Sequence, residues 1–184
     1  MTLSSDAATA YIALGANTGN RLAQLQRAVE HLDARPNIAV VEPSPVYESE
    51  AHTLEPSEAA PAFFNAVVQV HTTLAALELL DACQQIEAAA GRERGAAVPQ
   101  WAPRPLDLDL LTMGRRVVTT PRLIIPHPRL GERRFVLQPW CDLAPNLHVP
   151  PPFDATVRQL LNRCPDDAAL HRTPHELSPS SASS

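Results

Sequence analysis

After a polar stretch over residues 1–9, expected to be flexible, the chain reaches the apolar run Tyr11-Ile12-Ala13-Leu14, which reads as a short strand closed by Gly15. Asn20 is placed to cap a helix whose apolar residues Leu22, Leu25, Val29 and Leu32 keep helical spacing. Ile38 to Tyr47 predicts a second strand, edge or bulged because Pro43 and Pro45 interrupt it. Residues 48–61 form a polar loop without periodicity, and a loop of that length in a compact domain points to function or disorder. Phe63 to His71 alternates as a strand does. Thr73 is the expected cap of a second helix carrying Leu74, Leu77, Leu80, Cys83 and Ile86, ended by Gly91. A second long loop, 91–105, leads into a strand from Leu106 to Thr112. Further on come short extended pieces at Val117-Val118 and Leu123 to Ile125, then a helical turn or two over Arg133 to Trp140. A last helix runs from Thr156 to about Asn162, and the tail from Asp166, ending SPSSASS, is expected to be flexible.

The order strand, helix, strand, strand, helix, strand is the split pattern of a ferredoxin-like βαββαβ core. This predicts an α/β (α+β) architecture, with a mostly antiparallel sheet and helices packed on it, as one domain over residues 10–165. That fold hosts many unrelated activities, so function must come from particular side chains.

Composition narrows the chemistry. The chain has 184 residues, 45% of them hydrophobic, enough for one packed core. A net charge of −5 without a basic block argues against nucleic acid and anionic membrane surfaces as partners. No apolar run approaches a membrane span, and the start lacks the features of a signal peptide. Cys83, Cys141 and Cys164 lie far apart without a Cys-x-x-Cys, against a disulfide framework or a zinc site, so a reducing, cytoplasmic compartment is expected. All 15 basic residues are arginine. The absence of lysine excludes a Walker-type phosphate loop and Schiff-base catalysis. Any phosphate must be handled by arginine and metal.

Asp107-Leu108-Asp109 is the most informative short pattern. On a strand Leu106, Leu108 and Leu110 face the core, and the two aspartates point together to the other side. Paired carboxylates repel unless a cation lies between them, and oxygen ligands on a rigid strand suit Mg²⁺; a solvated acidic face is the plainer alternative. Arg92, Arg94 and Arg104 stand in the preceding loop, either as salt-bridge partners of the aspartates or as a polyphosphate clamp. Gln84 and Glu87 share a helix face and read alone as surface residues. Phe63 and Asn65 share a strand face that could stack on and hydrogen-bond a flat heterocycle. Arg133 and Phe135 repeat an arginine–aromatic pairing, and His127 lies between two prolines.

Together these segments match one family. YIALGANTGN, FFNAVV, QQIEAAAGRER, WAPRPLDLDLL and IPHPRLGERRFVLQP resemble 6-hydroxymethyl-7,8-dihydropterin pyrophosphokinase, from Tyr11 to about Leu161. The resemblance implies transfer of the terminal pyrophosphoryl group of ATP to the pterin hydroxymethyl oxygen, with AMP leaving, in folate synthesis. It implies that Asp107 and Asp109 hold two Mg²⁺ ions across the ATP phosphates. Gln84, Glu87, Arg92, Arg104, Leu110, His127 and Arg133 would surround the nucleotide, with Arg92, Arg94 and Arg104 acting in the transfer. Phe63 and Phe135 would sandwich the pterin, Asn65 would read its polar edge, Ser49 would border it, and Trp101 would close over it. Gly15 would form the tight turn after the first strand. No strong general base is evident, leaving Asp109 or water on a metal to take the proton. A monomer is expected. The rivals are a metal-dependent sugar or nucleotidyl transferase, the nucleotidyltransferase releasing pyrophosphate rather than AMP, and an RNA-binding module, which would need basic, aromatic sheet surface.

Overall fold

A computed structural model describes residues 7–50, 61–91 and 105–179. Its main sheet has the strand order β10-β3-β4-β1-β5, with β2 also paired to β4. The strands are β1 (Ala8–Ala16), β2 (Ile38–Pro43), β3 (Tyr47–Ser49), β4 (Phe63–Thr72), β5 (Asp107–Met113) and β10 (Leu170–Arg172), and every pairing among them is antiparallel. Two small ribbons, β6 (Val118–Thr119) with β7 (Ile124–Ile125) and β8 (His148–Val149) with β9 (Ala155–Thr156), lie off this sheet. The arrangement of β1, β2, β4 and β5 around helices α1 (Arg21–Asp33) and α2 (Ala76–Ala89) is the expected ferredoxin-like core.

Alternation along each central strand splits the core in two. Ile12, Leu14, Ala66, Val68, Leu108 and Leu110 face one side and pack with Leu25, Val29 and Leu32 of α1 and Leu79, Cys83 and Ile86 of α2. Tyr11, Ala13, Val67 and Leu111 face the other side. There they meet α3 (Arg134–Leu143) and α4 (Val157–Arg163) through Val136, Leu137, Trp140, Val157 and Leu160. Leu106, Leu108 and Leu110 are all buried on the α1/α2 side, as the period of two requires.

Local signals hold at most element ends. The Asn20 side chain accepts from the Ala23 amide and caps α1, and Thr156 caps α4 by accepting from Gln159. Gly91 follows α2 at φ +87°, a left-handed position suited to glycine. Five expectations are corrected. Thr73 does not cap α2: Thr72 and Thr73 are tied to the Asn37 carbonyl at the head of β2, which delays the helix to Ala76, where Glu78 accepts the Ala75 amide. The run from Ile38 to Tyr47 is two strands, because Pro43 to Pro45 break it; Ser44 Oγ accepts the Val67 amide in the gap. The loop read from residue 48 therefore begins inside β3, and β1 begins at Ala8, inside the stretch expected to be flexible. The tail from Asp166 is held as strand β10 on β3, with Leu177 buried in the α1/α2 core.

Candidate active site

The sheet face toward α3 is apolar only part of the way along. In register, Tyr47 lies opposite Asn65, Asn65 opposite Gly15, and Gly15 opposite Asp107. This row continues the face of Tyr11, Ala13, Val67 and Leu111 past the point where α3 begins. Gly15 was expected to make a turn; it lies inside β1, and its value is the missing side chain. A Cβ there would stand 3.8 Å from Asn65 Oδ1 and 3.9 Å from both Asp107 Cβ and Phe63 Cδ1. The bare backbone of Gly15 thus floors a slot between an amide and an aromatic ring on one side and a carboxylate on the other. Asn65 is held by donating from Nδ2 to Ser49 Oγ at 2.8 Å, both residues being buried. Its Oδ1 faces the slot above Gly15.

The start of α3 reaches the same sheet face at Asp109. Arg133 donates from Nη1 to Asp109 Oδ2 at 3.0 Å, and its guanidinium lies 6.0 Å from the centre of the Phe135 ring. Phe135 is half-buried against the α3/α4 core. His127 is set beside this pair by its own amide, which donates to the Leu111 carbonyl next along β5. Its Nδ1 accepts the Arg129 amide at 3.1 Å, which requires an unprotonated Nδ1 and leaves Nε2–H as a donor. Burial lowers the His127 pKa, opposed by Asp109 and Asp107 and assisted by Arg133 and Arg129, so the neutral ring is favoured.

α2 supports the strand from behind. Glu87 is 1% exposed and accepts the Leu108 amide at 2.8 Å, gripping the backbone between the two aspartates. Residue-by-residue reading placed Glu87 on the surface; tertiary packing buries it. Gln84 is half-buried one turn earlier on α2. The Leu110 side chain is buried in the α1/α2 core, so its backbone is what can meet a nucleotide. Arg92, Arg94, Trp101 and Arg104 lie outside the described residues. Ser49, Phe63, Asn65, Asp107, Asp109, His127, Arg133 and Phe135 share the face toward α3 or its entrance.

The chain that builds this sheet is similar to known proteins. Residues 11–145 match the model of the 7,8-dihydro-6-hydroxymethylpterin-pyrophosphokinase family. The chain belongs to this family. It is 41% identical over 155 residues to the 2-amino-4-hydroxy-6-hydroxymethyldihydropteridine pyrophosphokinase of Pseudomonas aeruginosa, covering 84% of this chain and 91% of that one. The Bacillus subtilis enzyme of the same name is 40% identical over 134 residues, covering 73% and 77%. Among solved structures, wild-type HPPK-DHPS of Plasmodium falciparum with pteroate superposes with a TM-score of 0.66 at 14% identity, over 89% of this chain and 43% of that one. That likeness is one of fold, and the chain spans less than half of that longer protein. As a pterin pyrophosphokinase the enzyme transfers pyrophosphate from ATP to 6-hydroxymethyl-7,8-dihydropterin, giving AMP and the pterin diphosphate, in folate biosynthesis.

The site's donors fit the cation such a pyrophosphokinase implies. Among the described residues no group of three or more His, Cys, Asp or Glu side chains could hold a metal by itself. Asp107 and Asp109, two half-buried carboxylates on one strand face, offer the partial oxygen shell that Mg²⁺ takes from protein when substrate phosphates complete it. Sequence reading missed the slot above Gly15. The signal available was a glycine inside an otherwise apolar strand, which often marks close approach of a ligand.

Proposed function

We propose that Asp107 and Asp109 hold two Mg²⁺ ions against the phosphates of ATP, and that the pterin lies in the slot above Gly15. The observation that carries this reading is the single row Asn65, Gly15, Asp107, which joins a heterocycle-reading amide to a carboxylate across one bare backbone position. Phe63 and Phe135 stack on the pterin from the strand and helix sides, Asn65 hydrogen-bonds its polar edge, and Ser49 orients Asn65. Trp101 covers the substrate. Arg133 and His127 donate to phosphate oxygens, together with Arg92, Arg94 and Arg104, whose guanidiniums are the residues' only route to phosphate in a chain without lysine. Gln84, Glu87 and Leu110 border the nucleotide, Glu87 by positioning β5.

Seated this way, the hydroxymethyl oxygen faces the β-phosphorus of ATP. A bond forms from the hydroxymethyl oxygen to the β-phosphorus as the bond from the β-phosphorus to the oxygen bridging the α-phosphate breaks; AMP departs with the bridging oxygen, and the hydroxyl proton passes to Asp109 or to water. The bound cations would neutralise charge on the phosphate oxygens as it shifts to AMP. The protein's part is alignment and charge. The slot fixes the nucleophile, and Arg133 approaches from the side of Asp109, so that carboxylate and guanidinium hold one another before substrate arrives. The three thiols are unpaired, with Cys83 and Cys141 buried, which supports a reducing cytoplasmic setting.

The test is AMP formation from ATP and hydroxymethyldihydropterin with Mg²⁺, with and without EDTA. Chelation should abolish AMP release while binding of the pterin alone to Asp107→Ala persists. Full activity in EDTA would overturn the metal assignment.

A further inference from the structure

The segment from Asp166 to Ser178 lies beyond the family-matched residues 11–145 and takes no part in the reaction as derived above. It nevertheless touches both walls of the slot. At one end, Asp166 Oδ2 accepts the Arg134 amide at 3.1 Å, while Oδ1 accepts the Ala168 amide at 3.1 Å. Arg134 is the first residue of α3, and Arg133 before it makes no side-chain cap. The cap of the helix that carries Phe135 therefore comes from the tail. At the other end, Leu170, His171 and Arg172 pair with Ser49, Glu48 and Tyr47. This makes β3, a three-residue strand, internal to the sheet rather than an edge, and β3 carries the Ser49 hydroxyl that orients Asn65.

The tail is then anchored away from the site. The Thr173 amide and hydroxyl both donate to the Val46 carbonyl at 2.9 Å. The His175 ring lies 5.6 Å from the Phe64 ring, whose other neighbour is the Arg21 guanidinium at 3.9 Å. Leu177 is 6% exposed in the α1/α2 core, and Ser178 exchanges two hydrogen bonds with the Gln26 side chain on α1. Terminal segments are ordinarily loose unless tied down, and this one is buried at Leu177 and paired at Leu170, His171 and Arg172.

We propose that residues 166–178 are a positioning strap that sets the spacing between the two walls of the pterin slot, Phe135 on α3 and Asn65 with Ser49 on the β3/β4 side. The proposal rests on the reading of that slot as the pterin site. Asp166 holds the α3 wall and β10 holds the β3 wall, so one covalent segment ties them together. Losing either hold lets one wall drift relative to the other, which weakens the ligand held between them; the phosphate side stays in place because β5 and Glu87 set it and Arg133 is tied to β5 through Asp109.

The test compares four variants of the full chain with a truncation ending at Ala169, measuring KM for each substrate with the other saturating, and the melting temperature. Asp166→Ala and Leu177→Ala should each raise the pterin KM roughly three- to tenfold, the truncation more, with the ATP KM within about twofold of wild type. Asp166→Asn keeps an oxygen for the Arg134 amide and should recover most of the loss. Equal shifts in both KM values, or a lowered melting temperature with neither KM changed, would overturn the strap, and the point variants decide the matter if the truncated chain does not fold. Phe135→Ala separates the two readings. If it raises the pterin KM while the tail variants do not, the strap alone fails; if it leaves the pterin KM unmoved, the slot assignment fails and the strap with it.

Discussion

The two faces of the central sheet use the same strands for different ends. On the α1/α2 face, apolar residues run the whole length: Ile12, Leu14 and Ala16 on β1, Ala66 and Val68 on β4, Leu108 and Leu110 on β5, all buried. On the α3/α4 face the apolar stretch stops at Ala13, Val67 and Leu111; Asp109 already stands opposite Ala13, and the row after it holds Gly15, Asn65 and Asp107. The difference is one of cover. α1 and α2 pack on the first face, whereas among the described residues no helix packs on the other face beyond the N-terminal end of α3. Where a helix covers a strand, side chains must fill volume. Where it stops, polar residues and a missing side chain can remain, held by pairing on either side. The proposed active site lies on a sheet whose reverse is packed by α1 and α2, so its groups stand on a rigid floor.

Six substitutions would break or sharpen this contrast. The largest effect is expected on the packed face: Leu25→Ala, fully buried on α1, should cost about 2–5 kcal/mol of stability while leaving turnover per folded molecule near wild type. Chemical denaturation alongside AMP assays at low temperature checks it, and a parallel loss of specific turnover would mean that the faces are not independent. Next, Asp107→Ala or Asp109→Ala should lower turnover at least ~10²-fold, about 2.7 kcal/mol of transition-state stabilisation. Their stability should change little: two nearby carboxylates repel, and the Asp109–Arg133 pair is partly exposed and worth about 1 kcal/mol or less. Retained activity with Mg²⁺ in either variant would contradict the assignment.

Gly15→Val should follow, with about a tenfold or greater rise in the pterin KM, because branched methyl groups would project among Asn65, Phe63 and Asp107. The backbone there is ordinary strand, so the fold should persist; an unchanged pterin KM would place the ligand elsewhere. The smallest effect is expected for Phe63→Ala and Phe135→Ala. Each loses stacking worth on the order of 1 kcal/mol, read as roughly a fivefold weaker pterin with ATP affinity held. Equal loss for both substrates, or unfolding, would assign these rings to the core.

What the chain determined by itself is what short spacing encodes. A period of two put Leu106, Leu108 and Leu110 on one side of β5 and the aspartates on the other. A period near 3.6 with Asn20 or Thr156 in front defined α1 and α4. The family resemblance was carried by contiguous motifs, chiefly PRPLDLDLL after GRER, and led to the pyrophosphokinase activity. Each of these is local, fixed by covalent neighbours and side-chain direction. The tertiary structure decided whatever depends on register between distant strands. That Gly15 stands between Asn65 and Asp107 follows from two strand pairings, and a shift of one residue in either would turn these groups to the opposite face. Glu87 reads as a surface residue until packing of α2 under β5 buries it on the Leu108 amide. The three residues of β10 are too few and too polar to announce a strand. They form one because β3 offers unpaired backbone groups at a sheet edge, and because Leu177, farther along, has a place in the core.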